Sequence, residues 1–386
     1  MSDGGSFAGV PPATVMAHLR RARHTQAVTR VLLHSVVLAL VLGLSSGGRE
    51  AHANLWKHAI EQGSPDMQQD IYESELKSGD ELALQATSAS VSSMTVRQLV
   101  THAAISYRNA ATAKPGSPEP YYRLGRLLYA FYLDCSSNQF VIRSPLCPRD
   151  IAANGIVIPG SGFDTKHAEE VIAAWDAFEA RAPLDPRISV ERGSGIASDF
   201  NLLFIRAVLH TRLATKPHLV LAVKDYEKIL ARTDLAEETV LSNLAETYMM
   251  IGRLDDAIDT YRQALRSNRN NETIYGLAIA LDRDERGSQA KDLIVAQGAQ
   301  AVGEFDRRIE TGTTFFVPSG EEQYYFALTY EAFDRNPEAV TAWKRYIASG
   351  AHPEFQPRAK AHLDALLKLQ TRKAVHLETP WLDLTH

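Results

Sequence analysis

The 386-residue chain has only two cysteines, Cys135 and Cys147, too few for a cysteine-rich metal module or a disulfide-dense scaffold. It also lacks an excess of positive charge. Its 41 Lys and Arg stand against 46 Asp and Glu, a net of −5, where a protein that coats nucleic acid would be basic. No apolar run reaches the roughly 20 residues of a comfortable membrane span, which excludes a multi-span membrane protein. Apolar residues are not scarce, however. At 45 % hydrophobic and 23 % charged the composition is that of a globular protein, and wholesale disorder is excluded. No G-x-x-x-x-G-K-[ST] cradles a phosphate, no H-E-x-x-H offers a zinc site, and no G-x-G-x-x-G follows a strand.

Acidic residues are missing altogether between Asp3 and Glu50. Within that stretch Arg20, Arg21, Arg23 and Arg30 precede the apolar run 31–44. As a helix the run would reach about 21 Å at the usual rise, short of a bilayer core of about 30 Å. A basic flank, a short apolar core and small residues behind it are the layout of a secretory signal. Ala51-His52-Ala53 places the cleavage after Ala53. Extended through Ser45 to Gly48, the run would instead serve as an uncleaved anchor in a thin bilayer. Both readings would put the body outside the cytoplasm, periplasmic or anchored in the inner membrane, touching the membrane only through this segment; a third reading buries the run as a core helix. In such an oxidising compartment Cys135 and Cys147 are expected to close a disulfide, worth about 3 kcal/mol for a loop this short.

Beyond the leader the dominant signal is a repeat. Leu241, Leu244, Ala245 and Tyr248 recur on one helical face. The turn Gly252-Arg253-Leu254 follows, and Ala257, Tyr261 and Ala264 recur on a second helical face. Ala278 and Ala290 follow Ala245 and Ala257 at the same 33-residue offset, so both helices shift together. Phe326-Ala327, Tyr330, Ala339, Trp343 and Tyr346 form another such pair, with Pro337 in the turn. Ala103, Tyr107, Ala110 and Pro115 match a second helix. Leu124-Gly125 and Leu128 match a first helix, whose partner comes late as Val171, Trp175, Phe178 and Pro183. Ala207 with Ala222, Tyr226 and Ile229 completes the series.

This pattern resembles the tetratricopeptide repeat, large, large-small, aromatic, then small, aromatic, small and a closing proline; Arg269 stands where proline is usual. The resemblance implies an all-α solenoid, right-handed, of antiparallel helical hairpins. The expected organisation is a leader over 1–53, a helical segment over 54–94 with a worn repeat around Tyr72, Leu76, Gly79-Asp80 and Leu82, repeats over 95–350, and a capping helix and tail over 351–386. Insertions interrupt the repeats at about 134–166 and 300–319. The resemblance further implies a concave groove lined by the first helices, which binds another protein or peptide. Mapped onto this sequence, its residues are Tyr122, Arg126, Tyr129, Phe204, Ser242, Glu246, Met249, Tyr275, Asp282, Tyr324 and Glu331. Tyrosine, arginine and methionine are types enriched at interfaces.

Other polar clusters read as structural. The run Asp282-Arg283-Asp284-Glu285-Arg286 is expected to be a solvated hairpin end with local ion pairs. Glu321-Glu322 marks a helix start, His210 and His218 flank a turn, and Gly160-Ser161-Gly162 and Gly193-Ser194-Gly195 are loops. No catalytic residue, cofactor or metal is called for. The leading expectation is a non-catalytic interaction scaffold outside the cytoplasm, in a context such as envelope assembly, without a nucleic-acid partner. An enzyme with its site in the two insertions, and a membrane-tethered spacer, are the alternatives.

Overall fold

The computed structural model describes residues 63–87, 92–134, 146, 149–151, 157–159, 163–188, 202–232, 238–310, 316 and 318–378. The leader with its apolar run, the cleavage site, both cysteines and the two glycine-flanked serines lie outside the described residues. The chain divides into two compact units, 1–69 and 70–386, and all but the first turn of the first helix described below belongs to the second. Among the described residues no helix is long and apolar enough to cross a membrane.

Helices α1 (Pro65–Ala86), α2 (Ser93–Ala113), α3 (Glu119–Leu128), α4 (Thr165–Arg181), α5 (Leu202–Leu213), α6 (Lys216–Arg232) and α7 (Glu238–Met250) come first. They are followed by α8 (Leu254–Ser267), α9 (Asn271–Arg283), α10 (Gly287–Val295), α11 (Gln300–Glu310), α12 (Glu322–Ala332), α13 (Asn336–Ser349) and α14 (Gln356–Glu378). Pairs α3–α4, α5–α6, α7–α8, α9–α10 and α12–α13 pack as hairpins. Neighbouring hairpins meet through α2–α3, α4–α5, α6–α7, α8–α9 and α10–α12, and α14 closes the series on α13. First helices also touch one another, α5 with α7, α7 with α9 and α9 with α12. This is the all-α tetratricopeptide-like stack with a capping helix that the repeat predicts.

The packing follows from residue size. Ala207, Ala222, Ala245, Ala257, Ala278, Ala290, Ala327 and Ala339 are all wholly buried, so the paired backbones approach closely at these points. The second helices fill the adjacent space with Tyr107, Trp175, Tyr226, Tyr261 and Trp343, none more than 3 % exposed. Two helix pairs, α3–α4 and α1–α2, take the small residue to its limit. A Cβ on Gly125 would lie 2.2 Å from Trp175 Nε1, and one on Gly79 would lie 2.5 Å from Tyr107 Cε1. The Tyr107 hydroxyl donates to Asp80 at 2.9 Å, as the Tyr261 hydroxyl donates to Glu246 at 2.8 Å. In both cases a second-helix tyrosine reaches the carboxylate that follows the small residue, so α1 and α2 reproduce the contact seen between α7 and α8.

The hairpin turns share one device. Gly252, Glu285 and Asp334 adopt left-handed backbone (φ 79°, 62° and 57°). Each lets the next N–H bond back to a carbonyl of the ending helix: Arg253 to Tyr248, Arg286 to Leu281 and Arg335 to Tyr330, at 2.8–2.9 Å. The structure departs from uniform hairpins in both insertions. The first carries a short antiparallel ribbon, β1 (Arg149–Ile151) and β2 (Val157–Pro159), with Asp150 opposite Ile158. It is entered through a π-helical turn at Tyr129–Leu133 that extends α3. The second insertion holds α11.

Candidate protein-binding face

The first helices divide into two groups. On α3 and α5 the sequence-derived residues remain at the surface. Tyr122 is half-buried; its ring lies 5.1 Å from that of Phe178, with the Arg187 guanidinium 4.2 Å above it. Arg187 is itself fixed by Asp185 at 2.8 Å and Glu119 at 2.9 Å. Arg126 is exposed. Tyr129 is half-buried with its ring 6.0 Å from Trp175, and Phe204 is half-buried with its ring 6.2 Å from Tyr226. Tyr122, Arg126 and Tyr129 recur at four- and three-residue spacing and share one face of α3. On α7, Ser242 donates to Glu238 at 2.9 Å and pairs with Thr273 at 2.8 Å. Glu246 accepts from Tyr261 and from Tyr325, at 2.8 and 3.1 Å.

On the later helices the expectation needs correction. Met249, Tyr275, Asp282 and Tyr324 are wholly buried and present no surface to a partner. Tyr275 stacks on Phe305 of α11 with centroids 4.8 Å apart. Tyr324 donates to Asp282 at 2.7 Å. Asp282 also accepts from Arg358 at 2.6 Å and His362 at 3.1 Å, and Glu331 accepts from Trp343 Nε1 at 3.1 Å and His362 at 3.0 Å. Burial alone would raise the Asp282 carboxyl, but hydrogen bonds from His362, Arg358 and Tyr324 hold it well below the usual carboxylate range. The last two first helices are thus occupied by the chain's own segments, α11 at Tyr275 and α14 at Asp282 and Glu331.

The acidic-basic run at 282–286 is corrected for the same reason. Arg286 does make a local pair, with Asp284 at 2.6 Å, and a longer one to Asp255 at the start of α8 at 3.5 Å. Asp282 and Arg283, however, are enclosed. The Arg283 guanidinium lies 4.6 Å from the Tyr324 ring and 4.1 Å from the Phe355 ring and pairs with Glu321, both side chains fully buried. Glu322 opens α12 as expected, accepting from the Gly320 N–H at 3.0 Å, while Glu321 serves the ion pair.

Sequence reasoning missed three features. His210 and His218 not only flank a turn; their Nδ1 atoms lie 2.9 Å apart. Burial, His218 and the nearby Arg206 charge push His210 down to about 3. Arg206, 3 % exposed, donates to Asp225, Asp176 and Glu179 at 2.7–2.9 Å, which locks α5 to α4 and α6. No short-range pattern announces that network. Phe305 is the third, and its signal was available: Ala301, Val302 and Phe305 recur at helical spacing within the presumed loop.

No family model and no curated protein matches the chain. Among solved structures, MamA aligns at 12 % identity over 64 % of this chain and 99 % of its own, with a TM-score of 0.37. The APC/C hetero-tetramer Cut9-Hcn1 aligns at 13 % over 88 % and 52 %, TM-score 0.36. Yeast Tom70 aligns at 14 % over 87 % and 77 %, TM-score 0.27.

Proposed function

We propose that the protein is a non-catalytic scaffold that binds another protein or peptide on the first-helix face of α3 and α5. The observation that carries this reading is the surface trio Tyr122, Arg126 and Tyr129. Two aromatic rings are held in fixed orientation by Arg187, Phe178 and Trp175, with an exposed arginine between them. A side chain already fixed loses little entropy on binding, and Tyr and Arg dominate interface hot spots. The mechanism is burial of area around the rings, with Arg126 at the polar rim.

The test is cross-linking capture with the purified full chain. Arg126→Glu is expected to lose at least tenfold of one captured protein while Tm stays unchanged, and Lys224→Glu on α6 is expected to keep it. Identical capture by both variants would sink the reading. We further propose that the body works outside the cytoplasm, on the strength of the basic flank and apolar run at 20–44. A reporter fused behind residues 1–62 that stays cytoplasmic, or two reactive thiols at Cys135 and Cys147 in the native exported protein, would refute that.

A further inference from the structure

Helix α11 has the make-up of a ligand rather than a repeat helix. It lies between the fourth and fifth hairpins, and its contacts run to the first helices α9 and α12. Ala301, Val302 and Phe305 are 6 %, 5 % and 3 % exposed, and Ile309 packs beside them. These four form one stripe, while Gly303 and Arg307 face outward. Phe305 is the anchor. Its ring stacks on Tyr275 at 4.8 Å and on Tyr325 at 5.8 Å, and meets Phe326 and Phe316 edge-on at 5.8 and 6.1 Å.

Polar contacts flank the anchor on both sides. Arg308 pairs with Glu272 in the first turn of α9 at 2.6 Å, and Asn271 donates to Glu304 at 3.3 Å. An amphipathic helix that lays its apolar stripe between two parallel supports, with one aromatic knob and a salt bridge at the edge, is the helix-in-groove mode of peptide recognition. An 11-residue helix is too short to hold its shape alone in water. The groove therefore supplies its order, as it would for a partner's segment.

We propose that the face formed by α9 and α12 is a receptor groove for an amphipathic helix, and that α11 is its resident occupant. The partner it fits carries small or aliphatic side chains at two adjacent positions, a phenylalanine four residues after the first, and an arginine three residues beyond that, opposite Glu272. This rests on the reading of the chain as a protein-binding scaffold, but it concerns a different face from α3 and α5. Tethering gives α11 a high effective concentration, so a competing helix gains access only when the resident is weakened.

The test uses the full chain and a fluorescein-labelled synthetic peptide spanning residues 299–310, read by anisotropy. Phe305→Ala is expected to bind the peptide at least tenfold more tightly than the parent chain. Arg308→Glu, which reverses the edge pair and leaves the aromatic socket intact, is expected to bind at least threefold more tightly and serves where Phe305→Ala lowers Tm too far. The same peptide with alanine for phenylalanine is expected not to bind. Equal affinity across parent and variants, or equal binding of the phenylalanine-free peptide, overturns the proposal. Arg126→Glu is expected to leave peptide binding unchanged, so a failed capture on α3 and a failed groove on α9 and α12 are told apart.

Discussion

Asp282 and Glu331 belong to different first helices, and one side chain of the capping helix joins them. His362 places Nε2 3.1 Å from Asp282 Oδ2 and Nδ1 3.0 Å from Glu331 Oε2. A neutral imidazole has one N–H to give; two carboxylates require both ring nitrogens to donate, so His362 is a cation here. The Trp343 ring stacks on it at 4.8 Å, and Arg358 shares Asp282 at 2.6 Å.

Burial alone would lower His362, but Asp282 and Glu331 raise it to about 9. Below pH 6.5 the folded and unfolded chains both carry the proton and the stabilisation is complete. Between 6.5 and 9 only the folded chain holds it, so stability falls as pH rises. A difference of that size corresponds to about 3 kcal/mol. Melting curves from pH 6 to 10 are expected to show a steeper decline for the parent chain than for His362→Gln. Parallel curves would show that the bridge does not carry this proton.

His210 runs in the opposite direction. Its environment of buried carbon, His218 and the Arg206 charge keeps it neutral down to about 3. From pH 6.5 down to 3 the unfolded chain takes up a proton that the folded chain refuses, so stability falls with falling pH. Two carboxylates around Arg206 also bear on acid stability: burial alone would raise Glu179, but Arg206 and Lys228 hold it below the usual carboxylate range, so it adds to the same loss, whereas burial raises Asp176, which works against it. The histidine's share is therefore the difference between the parent chain and His210→Gln. The variant is expected to lose less Tm than the parent between pH 7 and pH 5.

Gly125 tests the close approach of paired helices. Alanine there would put Cβ against Trp175 Nε1 at 2.2 Å, inside the packed hairpin α3–α4. Overpacking of this kind costs about 1–3 kcal/mol. At Gly116 an added Cβ meets nothing within 4 Å, so Gly116→Ala is the matched control. Urea unfolding is expected to show a lower midpoint for Gly125→Ala alone. Equal midpoints would mean that the Trp175 ring moves aside freely.

That contact also marks what was legible in the sequence. Small residues opposite aromatics recur at fixed spacing, and the spacing survives even where an insertion separates Gly125 from Trp175. Periodicity records which face of a helix is hidden. It does not record what covers that face. Asp282 and Glu331 read as groove residues and Arg283 as part of a solvated hairpin end because charge normally stays wet. Asp282 and Arg283 are enclosed, and Glu331 is half-covered, because Glu321, Arg358 and His362 arrive from 31 to 80 residues away. Tyr275 read as a ligand contact and does meet a helix, but one from its own chain.

The Arg283–Glu321 pair carries the sharpest energetic expectation. Both side chains are fully buried. Arg283 Nε and Nη1 find no hydrogen-bond partner among the described residues and the guanidinium lies beside the rings of Tyr324 and Phe355 instead. Glu321 Oε2 lies 3.7 Å from the His352 imidazole. Removing one partner of such a pair strands a charge in an apolar site and costs about 3–5 kcal/mol. Replacing both by apolar side chains of similar size removes the stranded charge along with the attraction. Arg283→Met is therefore expected to destabilise strongly at pH 7, and the double variant Arg283→Met, Glu321→Leu to recover part of that loss. A double variant whose loss equals the sum of the two single losses would show that the two groups are not coupled, and that the aromatic rings alone hold Arg283 in place.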